Sequence, residues 1–154
     1  MRKAHRLLGF CLLAAAAAVT AGCPKEPVRI SMVLDAAVDV NPDPTGQALS
    51  VVVRIYQLKD KGRLESANYD AILKSEKETL ADDMLQRQER QVEPGTQELL
   101  EIAADPMAKY IGVVALFRNP TGDLWRKIIL VGKSKTQKIG ITLREQVLEV
   151  TTGK

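Results

Sequence analysis

Two stretches of this chain carry apolar side chains for both faces of an extended strand, which limits it to layered folds. In Val51-Val52-Val53-Arg54-Ile55-Tyr56-Gln57-Leu58 the first three residues are apolar whichever way they point. In Lys109-Tyr110-Ile111-Gly112-Val113-Val114-Ala115-Leu116-Phe117-Arg118 the apolar run is longer still. Successive strand side chains alternate between faces, so both segments are expected at the centre of a sheet covered on each side.

Weaker strand signals surround them. Val28, Ile30, Met32 and Leu34 alternate with Arg29, Ser31, Val33 and Asp35, the pattern of a half-buried strand extending toward Val40. Residues 97–103 read as another strand, and residues 124–131 as the hairpin partner of residues 109–118. Two short strands are expected over residues 139–143 and 146–151. Between residues 66 and 90 the spacing of Ala67, Ile72, Leu73, Leu80, Met84 and Leu85 predicts helix. Ser66 is the expected cap of a first short helix, and Ser75 with Glu78 of a second. About seven strands around one helical insertion predict a mainly β protein, a β-sandwich.

The N-terminus sets the extent of the folding unit. Arg2, Lys3 and Arg6 precede an uncharged, largely apolar stretch over residues 7–19, and Ala21-Gly22-Cys23 follows. That order is a secretory signal, and the apolar stretch is shorter than the roughly 20 residues of a spanning helix. Val19-Thr20-Ala21-Gly22-Cys23 resembles a bacterial lipobox, with Thr20 in place of the usual Leu. This resemblance implies cleavage before Cys23 and covalent lipid on its thiol and new amino group. More than one acyl chain is needed for firm anchoring. By resemblance to enterobacterial lipoprotein sorting, Pro24 rather than Asp after the cysteine favours the outer membrane. The expected organisation is a signal peptide over residues 1–22, a lipidated tether over 23–27 and one periplasmic domain over 28–154.

Removing the signal changes what the composition means. The whole chain has 22 basic and 19 acidic residues, and the three signal residues account for the excess. The remainder is balanced, which argues against a nucleic-acid partner. His5, the one histidine, and Cys11 also lie in the signal. A domain without histidine or free thiol excludes Cys–His zinc sites, cysteine nucleophiles and His-dependent triads.

Other motifs dissolve on inspection. Gly132-Lys133-Ser134 resembles the end of a phosphate loop, but Lys127 stands where the required first glycine would be, so no nucleotide is expected. Asp39, Asn41 and Asp43 have calcium-loop spacing, yet Pro44 and Ser50 occupy the obligatory Gly and Glu positions, and the trio reads as turn capping. Asp82 and Asp83 read as a solvated face, not an acid–base pair. Trp125, the only tryptophan, reads as a core or sheet-edge residue, with a binding anchor as the alternative.

In order, the segments resemble the TssJ family, the outer-membrane lipoprotein of the bacterial type VI secretion system. The resemblance rests on Cys23; Leu34-Asp35-Ala36; Val40-Asn41-Pro42 with Gly46; residues 51–58; Leu64, Ala67, Asn68, Tyr69 and Leu73; Glu93-Pro94-Gly95; residues 110–115 with Phe117-Arg118; and Trp125-Arg126. It implies a transthyretin-like sandwich and an adaptor, not an enzyme. It implies no cofactor beyond the lipid on Cys23. It further implies that the loop after the first strand contacts the periplasmic C-terminal region of the inner-membrane protein TssM. Here that loop spans residues 38–48, with Asp39, Val40, Asn41, Pro42, Asp43, Pro44, Thr45, Gly46 and Gln47 as the expected contact residues. A small-ligand or cell-wall-binding lipoprotein is the competing reading; a deep pocket lined by Tyr56, Tyr69 or Trp125 would favour it.

Overall fold

A computed structural model describes residues 26–153; the signal segment and Cys23 lie outside them. The strands are β1 (Arg29–Ala36), β2 (Val51–Leu58), β3 (Met84–Val92), β4 (Gln97–Ala103), β5 (Tyr110–Leu116), β6 (Arg126–Leu130), β7 (Thr136–Arg144) and β8 (Val147–Gly153). Two helices, α1 (Gly62–Ser66) and α2 (Tyr69–Leu80), lie between β2 and β3. One sheet has the order β4-β1-β7-β8 and the other β3-β2-β5-β6. All neighbours are antiparallel except β1 and β7. The expected mainly β sandwich is therefore present, with eight strands instead of about seven.

The two apolar strings occupy the centre of the second sheet, paired with each other. Val53 opposite Ala115, and Ile55 opposite Val113, face the first sheet and are buried. Ile30, Met32, Leu34, Ile139, Ile141 and Leu143 supply the other half of the core. On the reverse side, Tyr56 lies opposite Gly112, and Leu58 opposite Tyr110. That side is apolar too, and the helical segment covers it.

Gly112 shows how closely. A Cβ there would lie 2.4 Å from the Leu64 side chain of α1 and 3.1 Å from that of Leu58. The position needs glycine for space; its φ is not in the left-handed region.

Charge locks α2 in place. Glu76 accepts the Tyr56 hydroxyl at 2.6 Å, Arg54 at 3.1 Å and Arg87 at 2.8 Å. Arg54 also donates to Glu89 at 2.9 Å and to the Ile72 carbonyl at 3.1 Å. Burial, then the hydrogen bond to Glu76, pushes the Tyr56 phenol well above its ordinary range, so it stays protonated and donating.

Three local expectations need correction. Helix does not continue to Arg90: Ala81, at φ +43°, ends it, a 3-10 turn spans Ala81–Asp83, and Met84–Val92 is β3. An edge strand can be polar on both faces, so the Gln, Arg and Glu of this segment carried helix propensity without a strand alternation. Ser66 ends α1 instead of starting it, its hydroxyl donating to the Gly62 carbonyl at 2.8 Å. Asn68 caps α2, accepting from the Ala71 amide at 2.8 Å, while Ser75 forms a non-helical break inside it.

Two outcomes follow for stability. Gly112→Val should destabilise by about 1–3 kcal/mol through overpacking against Leu64, read as a lowered urea midpoint with an unchanged slope. Glu76→Ala should cost about 1.5–3 kcal/mol by leaving the buried Tyr56 hydroxyl without its acceptor and taking one carboxylate from Arg54 and Arg87, again measured by urea unfolding.

Candidate functional site

The chain leaves β1 at Ala36 and returns at Val51, and the loop between is held by its own buried residues. Asn41 adopts φ +50°, a conformation Asn tolerates better than most residues. Its side-chain amide donates to the Ser50 carbonyl at 2.8 Å, and its side-chain oxygen accepts the Arg118 amide at 2.7 Å. Its own amide donates to the Glu145 carbonyl at 2.6 Å. One side chain and its backbone thus tie the loop to the start of β2, the end of β5 and the β7–β8 turn. Val40 is fully buried beside it.

The tip is organised by Asp43. Its Oδ1 accepts the Thr45 amide at 2.8 Å, the Thr45 hydroxyl at 2.7 Å and the Gln47 amide at 3.0 Å. The Asp43 amide donates to the Gln47 carbonyl at 2.9 Å, and Gly46 supplies the left-handed turn at φ +88°. The Thr45 hydroxyl holds the Asp43 carboxyl below its ordinary value of 3.8, against an opposing desolvation, with further help from the Gln47 and Thr45 amides.

The expected contact residues therefore divide. Asp39, Pro44, Thr45, Gly46 and Gln47 are exposed, Pro42 and Asp43 half-buried, and Val40 and Asn41 buried. The exposed ones form a small ridge with Val38, whose side chain is 78% exposed. Val40 and Asn41 hold this ridge and do not face outward. Asn41 turns inward, so it does not gather with Asp39 and Asp43 in the manner of calcium ligands.

The aromatic residues named for a pocket are packed into the protein. Tyr56 is fully buried, and Trp125 is buried edge-on to Tyr69 at 5.2 Å, with Arg126 over its ring at 4.8 Å. The Tyr69 hydroxyl donates to the Phe117 carbonyl at 2.5 Å. None of the three lines the open surface groove of about 530 Å³ between Val28, Tyr110 and Lys133. The Arg54–Glu76 cluster went unread in the sequence, although one arginine inside an otherwise apolar strand was its signal.

Fold and loop together define a three-layer β-sandwich domain that presents a preformed ridge. Residues 28–146 match the family described as "Type VI secretion lipoprotein, VasD, EvfM, TssJ, VC_A0113", and the chain belongs to that family. It is similar to the T6SS lipoprotein TssJ1 from Pseudomonas aeruginosa, with 28% identity, 83% of this chain and 98% of that one covered, and a TM-score of 0.77. A chain of a structure described as "Type VI membrane complex" is similar at 29% identity, covering 82% and 99%, with a TM-score of 0.73. A chain in the structure described as the T6SS protein TssM C-terminal domain from EAEC is similar at 27% identity, covering 80% and 97%, with a TM-score of 0.69. No curated protein sequence matches the chain. The family resemblance read from the sequence is thereby borne out, and the family is one of structural type VI secretion lipoproteins.

A low folded pKa gives the tip a defined pH window. Ionised Asp43 contributes stability fully above its unfolded value, and this is lost as pH falls through the lower folded value. The Thr45 and Gln47 amide resonances should therefore titrate together with a midpoint below 3.8, and Asp43→Asn should abolish that titration.

Proposed function

We propose that this chain is a structural adaptor: lipid on Cys23 holds it at the periplasmic face of the outer membrane, and the ridge over residues 38–48 binds the periplasmic C-terminal region of TssM. The observation that carries this reading is the bracing of the loop by Asn41, which leaves Asp39, Pro44, Thr45 and Gln47 displayed on a fixed frame. A loop ordered before docking loses less entropy on docking. The family membership supports the assembly, and the similarity to chains in a type VI membrane complex and a TssM C-terminal domain structure supports the partner. The adaptor works by binding alone, with no catalytic step, nucleotide, nucleic acid or metal, and with the lipid as its sole attached group.

The buried residues dictate how the reading is tested. Replacing Pro44, Thr45 and Gln47 by alanine spares Val40 and the Asn41 bonds to Ser50, Arg118 and Glu145, so the base of the loop survives. Against the TssM C-terminal domain, soluble residues 24–154 carrying this triple change should bind at least tenfold more weakly by calorimetry, about 1.4 kcal/mol, at an unchanged Tm. Asp70→Ala with Lys74→Ala, which removes an exposed ion pair on α2, should leave affinity within twofold. Wild-type affinity in the triple variant would refute the site. Absence of binding by the wild-type domain at tens of micromolar would refute the partner.

A further inference from the structure

The strands carry the loop ridge at one end of the sandwich and a different surface at the other. β1 begins at the second end with Arg29, beside Ala103 of β4 and Thr136 of β7. There Pro27 and Val28, the β4–β5 connection over residues 104–109 and the β6–β7 connection over residues 131–135 enclose an open groove of about 530 Å³. Its apolar lining includes Val28, Ala104, Pro106, Tyr110 and Leu130. Two large apolar side chains stand out from this end, Met107 at 56% and Leu130 at 64% exposure. Lys109 and Lys133 line the same groove, and Lys135 lies next to it. Among the described residues none of these three lysines is ion-paired. The acids on the groove are Glu26 and Asp105, and Asp105 already accepts the Met107 amide at 2.8 Å and the Gln86 side chain at 3.4 Å.

We infer that this end seats on the membrane: Met107 and Leu130 enter the boundary between headgroups and acyl chains, and Lys109, Lys133 and Lys135 meet anionic headgroups. The inference rests on the reading of Cys23 as lipidated. Its occupant follows from chain length. Pro27 lies four residues after Cys23, and four residues reach at most about 14 Å, so an acylated Cys23 keeps the groove at the bilayer surface. A surface held there meets lipid at high effective concentration, and weak apolar and basic contacts then suffice to orient it. The anchor alone would leave the domain free to tumble on its tether. Seating fixes which way it faces, and the ridge at the opposite end of β1 then points into the periplasm.

Spin labels on the full-length acylated protein in phosphatidylethanolamine–phosphatidylglycerol vesicles test this. Cys11 departs with the signal and lipid blocks the thiol of Cys23, so Met107→Cys, Leu130→Cys and Thr45→Cys each offer a single labelling site. All three positions are exposed, and the fold tolerates the change. At positions 107 and 130, collision with a water-soluble nickel complex should fall at least fivefold relative to position 45, and collision with oxygen should rise. Changing Lys109, Lys133 and Lys135 together to glutamate should reverse that protection. Equal access of nickel to all three labels, in protein that floats with the vesicles, would overturn the seating and leave the anchor intact. Protection at position 45 alone would overturn it by placing the wrong end down. Protein that neither floats nor carries acyl mass on its N-terminal peptide would overturn the anchor reading first, and the seating with it.

Discussion

A sheet whose central strands are apolar on both faces cannot stop at two layers. The side of β2 and β5 that faces the first sheet is satisfied by ordinary sandwich packing, through Val53, Ile55, Val113 and Ala115. The other side presents Tyr56, Leu58 and Val114 and would lie open to water without α1 and α2. These helices are short, of five and twelve residues, and helices of that length are marginal alone. They persist because Leu64, Ile72 and Leu80 bury against the sheet and because Glu76 collects three donors that the sheet projects outward. Arg54 and Arg87 are placed for this by register: Arg54 pairs with Glu89, and Tyr56 with Arg87, across β2 and β3. The polar edge strand thus serves the helical layer as well as its own sheet.

The loop at one end uses the opposite strategy. Val40 is its one buried apolar residue, and backbone groups of three strand ends converge on Asn41 beside it. Buried polar groups stabilise when they are partnered, and Asn41 finds an acceptor for its side-chain amide, a donor for its side-chain oxygen and an acceptor for its backbone amide. That rigid inner half lets the outer half remain polar and exposed without becoming floppy. Asp43 then organises the tip through local bonds that water could also make, so the tip is less tightly held than the base and more easily altered by acid.

What could be read from the sequence follows from this division. β1, β2 and β5 were legible because burial on one or both faces leaves a period-two or continuous apolar mark, and the loop was legible through Pro42, Pro44 and Gly46. β3 was not, since its role depends on partners far off in sequence, Glu76 for Arg87, 11 residues away, and Arg54 for Glu89, 35 residues away, and a polar strand and a polar helix look alike without them. The loop's inside and outside were equally hidden. Asn41 and Asp43 are both polar residues in a turn, yet a positive φ directs one side chain into the fold while the other caps the tip. A deep pocket lined by Tyr56, Tyr69 or Trp125 would favour the small-ligand alternative, and each of the three is instead engaged in packing or hydrogen bonding within the helix-covered side.

The position of β1 gives the adaptor reading its mechanical sense. This strand follows the tether directly and runs straight into the loop, so tension between a lipid anchor and a protein partner would enter at one end of β1 and leave at the other. It is not an edge strand. β4 flanks it antiparallel from Arg29 to Asp35, and β7 flanks it parallel from Arg29 to Ala36. Tension passing from end to end of such a strand runs along its covalent backbone, while the two ladders, whose hydrogen bonds lie across the pulling direction, hold the strand in register. A hairpin pulled at its open end would instead yield one bond at a time. The parallel pairing with β7 also means that the tether and the start of β7 share the same end, where the Arg29 amide donates to the Lys135 carbonyl at 2.9 Å. Fraying of β1 from the tether must therefore break a closed corner before it reaches the core residues Ile30 and Met32. On the adaptor reading, anchor and partner loop are joined by one central strand, an arrangement that binding of a small molecule would not need.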